Sequence, residues 1–151
     1  VALFLEHPFI GSAPPCSTGR DSFGTEWLLG LASSLPDQKS ATDVLASAVV
    51  AVARHVAGGL QHLPIPPRTM LVAGGGVHHE PLMRALQVEC GLPVTTTEEL
   101  GVPPDAREAM LFAALGARFV AQEAVTRPGV TGAQAGAVLG SWTPAPRSFP
   151  C

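Results

Sequence analysis

Residues 71–83 read Leu-Val-Ala-Gly-Gly-Gly-Val-His-His-Glu-Pro-Leu-Met, and they restrict the fold more than any other stretch of the chain. The short apolar run from Met70 to Ala73 predicts a buried strand. Gly74, Gly75 and Gly76 follow it, and Leu82, Met83 and Leu86 then mark the apolar face of a helix. Strand, glycine turn and helix in that order bring bare backbone N–H groups up to an anion or a nucleotide. Glycine matters there because a Cβ would block close approach and forbid positive φ. A plain tight turn accounts for the same residues. The pattern is not a dinucleotide fingerprint, which needs a glycine where His79 stands.

The rest of the chain supplies helices and short strands around that unit. Residues 1–16 hold Pro8, Pro14 and Pro15 and predict irregular structure. A helix is expected from Ser17-Thr18, capped by Thr18 with Asp21 three residues on, with Phe23, Trp27 and Leu31 on one face and Pro36 at its end. The clearest helix starts at Ser40, carries Val44, Leu45, Ala48, Val49, Val52 and Val56 on a broad apolar face, and is expected to stop at Gly58-Gly59. A strand over 69–73, a helix near 79–90 and a β-branched strand from Val94 to Thr97 follow. A long helix is expected from Pro103 or Pro104 to about residue 124, then an edge strand at Ala137 to Leu139. One domain over 1–142 and a loose Pro-containing tail over 143–151 are the expected organisation. Helices alternating with short strands argue for an α/β layered domain.

Composition narrows the function. The chain has 151 residues, enough for one domain with a core, and is 46% hydrophobic, 14% charged and of net charge −3. Nine Lys and Arg are scattered without a basic stripe, so no nucleic-acid partner is expected. Low charge with much Ala, Val and Leu suits a chain that buries much of itself, including against another domain. The first residue is Val, which reads as a fragment or a processed product. Cys16, Cys90 and Cys151 are far apart and without zinc-ligand spacing, so reduced thiols in a cytoplasmic protein are expected. The Ala/Val run from Ala46 to Ala53 is too short to span a bilayer, so no membrane partner is expected.

Four segments carry candidate chemistry. Pro14-Pro-Cys-Ser-Thr-Gly-Arg20 places hydroxyls, a glycine and a cation where a phosphate or sugar oxygen would suit them; a plain helix cap with Arg20 in solvent fits as well. The glycine turn at 74–76 is the second. The third is Pro104-Asp-Ala-Arg-Glu108, where Asp105 and Glu108 fall in a first helical turn. Acidic residues there complement the helix dipole, and Glu108 could instead point into a cleft to hold a hydroxyl or a water. The fourth is Val130-Thr-Gly-Ala133, which also reads as a capped turn. His78 and His79 do not make a metal site, because adjacent helical residues point in different directions.

In this order the segments resemble the anhydro-N-acetylmuramic acid kinase family, in its C-terminal portion. The matching pieces are Pro-Pro-Cys-Ser-Thr-Gly-Arg-Asp with Phe23 and Trp27, Ser40-Ala-Thr-Asp-Val and Ala-Gly-Gly-Gly-Val-His-His-Glu-Pro-Leu-Met. Thr95-Thr-Thr-Glu-Glu-Leu-Gly101, Asp105-Ala-Arg-Glu-Ala-Met-Leu-Phe-Ala, Val130-Thr-Gly-Ala and Val138-Leu-Gly complete the set. Single pieces are weak and the ordered set, across nearly all of residues 5–140, is specific. The resemblance implies a ribonuclease-H-like lobe of the sugar kinase, heat-shock protein and actin superfamily: the second, nucleotide-side half of a bilobal kinase. It implies phosphorylation of the 6-oxygen of 1,6-anhydro-N-acetylmuramic acid by ATP while water opens the anhydro ring, a step of cell-wall amino-sugar recycling. Mg²⁺ on the phosphates follows from phosphoryl transfer, and a carboxylate base for the water from ring opening.

Carried over by position, Gly74, Gly75 and Gly76 would line the nucleotide side of the cleft, Glu108 would face sugar and water, and Ser17, Thr18, Gly19 and Arg20 would form the signature loop. Family members usually carry Lys where Cys16 stands, Asn where His79 stands and Glu where Asp21 stands. The first lobe and its catalytic aspartate are not in this chain, so the segment alone is not expected to turn over. Expected partners are ATP, the amino sugar and that first lobe; a homodimer is also open to it. The competing reading is an inactive lobe that serves as a nucleotide-binding or protein-interaction module.

Overall fold

The computed structural model describes residues 1–19, 21–34 and 40–143. Arg20, Leu35, Pro36 and the tail from residue 144 lie outside the described residues, and with them the expectations placed there. The helices are α1 (Ala2–Leu5), α2 (Thr25–Ser33), α3 (Ala41–Leu60), α4 (Glu80–Cys90), α5 (Arg107–Val120) and α6 (Pro128–Thr131). Strands β1 (Met70–Val72) and β2 (Val94–Thr96) pair in parallel, Met70 with Val94 and Val72 with Thr96. Between them runs α4, so β1, α4 and β2 form the crossover unit that a parallel pair requires. The mixed α/β class expected above is the observed one.

Local chemistry explains most element boundaries. Ser40 caps α3 by accepting from the Asp43 N–H, while the Asp43 carboxylate accepts from the Ser40 N–H. Gly91 closes α4 in the left-handed conformation. Packing fixes the position of α3. Its Ala51 and Ala53 are buried, α4 lies against it with buried Leu86, and Arg54 Nε donates to Glu89 Oε2 at 3.1 Å between the two helices. Beside them Phe4, His7, Phe9, Phe23 and Trp27 pack ring against ring, and Phe9 reaches His55 of α3. Cys90 ends α4 as a free thiol; partial burial and then the charge of Glu89 push its pKa up.

Four boundaries differ from expectation. The first long helix starts at Thr25, with Gly24 at its cap and no side-chain bond, not at Ser17-Thr18. The Ser22 and Phe23 N–H groups donate instead to the Gly19 carbonyl, and Phe23 is drawn onto His7 with ring centroids 4.1 Å apart, so aromatic packing takes the turn that Thr18 and Asp21 would have capped. Helix α3 runs through Gly58 and Gly59 to Leu60, because its packing outweighs the roughly 1 kcal/mol that each glycine costs. At 20 residues it is long and apolar enough to cross a membrane, which the 46–53 run alone is not; in this fold its Ala51 and Ala53 contact protein. Helix α5 stops at Val120, where Gln122 takes a positive φ of 55°. No strand forms at Ala137 to Leu139: a single backbone bond, Val125 N–H to Ala137 O, replaces a ladder. The opening residues are also more ordered than expected, with one helical turn in α1.

Candidate functional site

The glycine turn lies at the carboxyl end of β1, where open α/β sheets bind ligands. Gly74 adopts φ 87°, ψ 178°, a region essentially confined to glycine. Its N–H donates to the Pro104 carbonyl at 3.0 Å. Gly75 to His78 then form a 3₁₀ turn closed by Val77 N–H to Gly74 O and His79 N–H to Gly76 O, both 3.1 Å. The N–H groups of Gly75 and Gly76 donate to no backbone acceptor among the described residues. A Cβ built on Gly74 or Gly75 meets nothing within 4 Å, whereas one on Gly76 would meet Leu82 Cδ2 at 3.4 Å. The notch is open at its first two glycines and packed at the third.

Next to the turn, at the end of β2, the Thr97 hydroxyl is buried without a hydrogen-bond partner. Two anchors tie the turn to the start of α5. One is the Gly74–Pro104 backbone bond. The other is His78, whose Nε2 lies 3.0 Å from both carboxylate oxygens of Asp105. Glu108 follows in the first turn of α5, exposed and with no hydrogen bond or ion pair among the described residues. The second and third candidate segments therefore share one place.

The first and fourth share another. The ideal Cβ position on Gly132 is 3.9 Å from the Pro15 carbonyl, which sets Gly132 against the start of the 14–19 loop. Ser17, Thr18 and Gly19 are exposed and make no hydrogen bond to the glycine turn among the described residues. Thr18 instead borders an apolar cavity of about 480 Å³ lined by Phe4, Phe9, Phe23, Trp27 and His55. Among the described residues the four segments fall into two pairs.

His79 has a local task. It stands at the cap of α4, its Nδ1 accepting from the Leu82 N–H at 3.2 Å. Asparagine is among the best residues for that position, so the departure from the resembled pattern keeps the capping acceptor. At Cys16, where the resembled pattern has a cation, the thiol reaches the Ser12 carbonyl at 4.0 Å. The His78–Asp105 pair and the Thr97 hydroxyl are what sequence reasoning missed. Each joins residues that are far apart in the chain or depends on burial, and neither leaves a local pattern.

A helix crossing between two parallel strands, with a backbone-lined notch at their carboxyl end, defines a mixed α/β segment. The family model described as anhydro-N-acetylmuramic acid kinase matches residues 1–145, and the chain belongs to this family. Kinases of that name from three bacteria are similar to it. That of Chromobacterium violaceum is 39% identical over 146 residues, 95% of this chain and 40% of the relative. That of Paraburkholderia xenovorans is 38% identical over 148 residues, 93% of this chain and 39% of the relative. That of Coxiella burnetii is 36% identical over 143 residues, 93% and 38% respectively. The chain spans about 40% of the length of the relatives it matches.

Proposed function

We propose that residues 1–142 form the nucleotide-side, ribonuclease-H-like lobe of an ATP-dependent kinase acting on 1,6-anhydro-N-acetylmuramic acid, in the C-terminal portion of the whole protein. The γ-phosphoryl group passes from ATP to O6, the C1–O6 bond breaks, and water adds at C1 with its proton going to a carboxylate. Glu108 positions the sugar and that water, the main catalytic aspartate belongs to the first lobe, and the glycine turn grips the nucleotide through backbone N–H groups. One observation carries this reading: the Gly74–Pro104 hydrogen bond, which sets the open notch beside the helix that bears Glu108. The relatives' shared name supports the substrate. Ser17, Thr18, Gly19 and Arg20 belong to the sugar side or to the closure of the two lobes.

Mg²⁺ belongs to the phosphoryl chemistry. Among the described residues no group of three His, Cys, Asp or Glu gathers to hold a metal ion. A magnesium ion on nucleotide phosphates needs only one or two carboxylates. The free thiols of Cys16 and Cys90 and the use of ATP support a cytoplasmic setting.

Gly75 gives a clean test, because its Cβ position is open and its φ is not positive. In the full-length polypeptide, Gly75→Val should fold normally and lose the thermal shift that ADP induces. An unchanged shift would remove the nucleotide from this turn. The module without turnover, with the same fold, draws on the exposed length of α5, and measured phosphorylation of the sugar by the full-length polypeptide would dispose of it.

A further inference from the structure

We propose that His78 and Asp105 are a positioning pair: they lock the start of α5 to the glycine turn and so set where Glu108 points. The inference rests on the reading of Glu108 as the carboxylate that serves the water.

The geometry demands an anchor of this kind. Helix α5 is exposed along nearly all its length, with only Leu115 and Phe119 partly covered. Core packing therefore does little to orient it. Its placement depends on the segment just before it, Pro104–Ala106, which meets the glycine turn. The Gly74–Pro104 bond is a single contact and leaves rotation about itself. The His78 imidazole, four residues along the turn, meets Asp105 with both carboxylate oxygens at 3.0 Å. Two separated contacts remove the rotation that one allows. Glu108 lies one helical turn beyond Asp105, so any swing of this junction moves its carboxylate directly.

Magnitudes favour positioning over stability. Both side chains are about two-thirds exposed, at 66% and 67%. Pairs this exposed add at most about 1 kcal/mol to folding. A displacement of about 1 Å at a reacting group can cost about 100-fold in rate. The pair can matter greatly to turnover while mattering little to the melting point.

The test is a double-mutant cycle in the full-length polypeptide. His78→Ala and Asp105→Ala should each lower kcat about 10- to 100-fold, with the KM for ATP and the thermal midpoint close to those of the parent. The double variant should be no worse than either single one. Asp105→Asn offers both a donor and an acceptor and so serves either imidazole tautomer; it should recover most of the turnover. Additive losses, or an Asp105→Asn variant as impaired as Asp105→Ala, would overturn the pair. Glu108→Gln separates the two levels. If it turns over normally, the parent reading fails and the pair's role goes with it. If it is inactive while His78→Ala is normal, the pair alone is refuted.

Discussion

At Gly74 the backbone takes a conformation that a side chain would strain, and at Gly75 it leaves open space where a side chain would stand. The two glycines do different work, so their replacements should differ. Any L residue at 74 pays in strain; one at 75 pays only in ligand approach. At His79 the imaginable metal role gives way to a cap. His79→Ala should lower stability by about 0.5–2 kcal/mol, whereas His79→Asn should hold or raise it, read from thermal midpoints of the two variants. Glu108 is exposed and has no partner among the described residues. Glu108→Gln should depress kcat about 100-fold and spare ATP affinity, since misplacing a reacting group by about 1 Å costs about that much in rate. Full activity in a steady-state assay would contradict the assignment.

Among the elements, α3 is the centre of what packing there is. Its contact with α4 buries Ala51, Ala53 and Leu86 and is clipped by Arg54 and Glu89. Leu86→Ala should cost about 2–5 kcal/mol, as for other buried leucines, seen as a lower urea midpoint. Replacing exposed Val88 on the same helix should change stability by no more than about 0.5 kcal/mol and leave the midpoint nearly unmoved. The crossover unit β1–α4–β2 brings the glycine turn and Thr97 to one end by topology alone. The same topology leaves a two-stranded parallel sheet whose Leu71 is exposed. Parallel sheets are stable with both faces covered and with more than two strands, so these strands call for neighbours beyond this segment.

For the whole molecule that need can be put in area. The chain exposes 11208 Å². A compact monomer of 15.5 kDa should expose about 7,200 Å². The described hydrophobic core is four residues, while Phe112 and Trp142 are 64% and 75% exposed. The isolated chain should bind a hydrophobic dye, and the full-length polypeptide should not. A dye-free monomer would mean that the segment is self-sufficient. The amino-acid order by itself determined the glycine turn, the capping box of α3, the helix after the turn and the family, because each is written in residues close together or in a fixed succession. It misplaced the start of α2 and the end of α5, where aromatic packing and one left-handed residue decided against local preference. Only the tertiary structure decided that the turn meets Asp105 and that Pro15 meets Gly132 instead. Those contacts join residues far apart in the chain, and chain closure, not local propensity, sets which of them form.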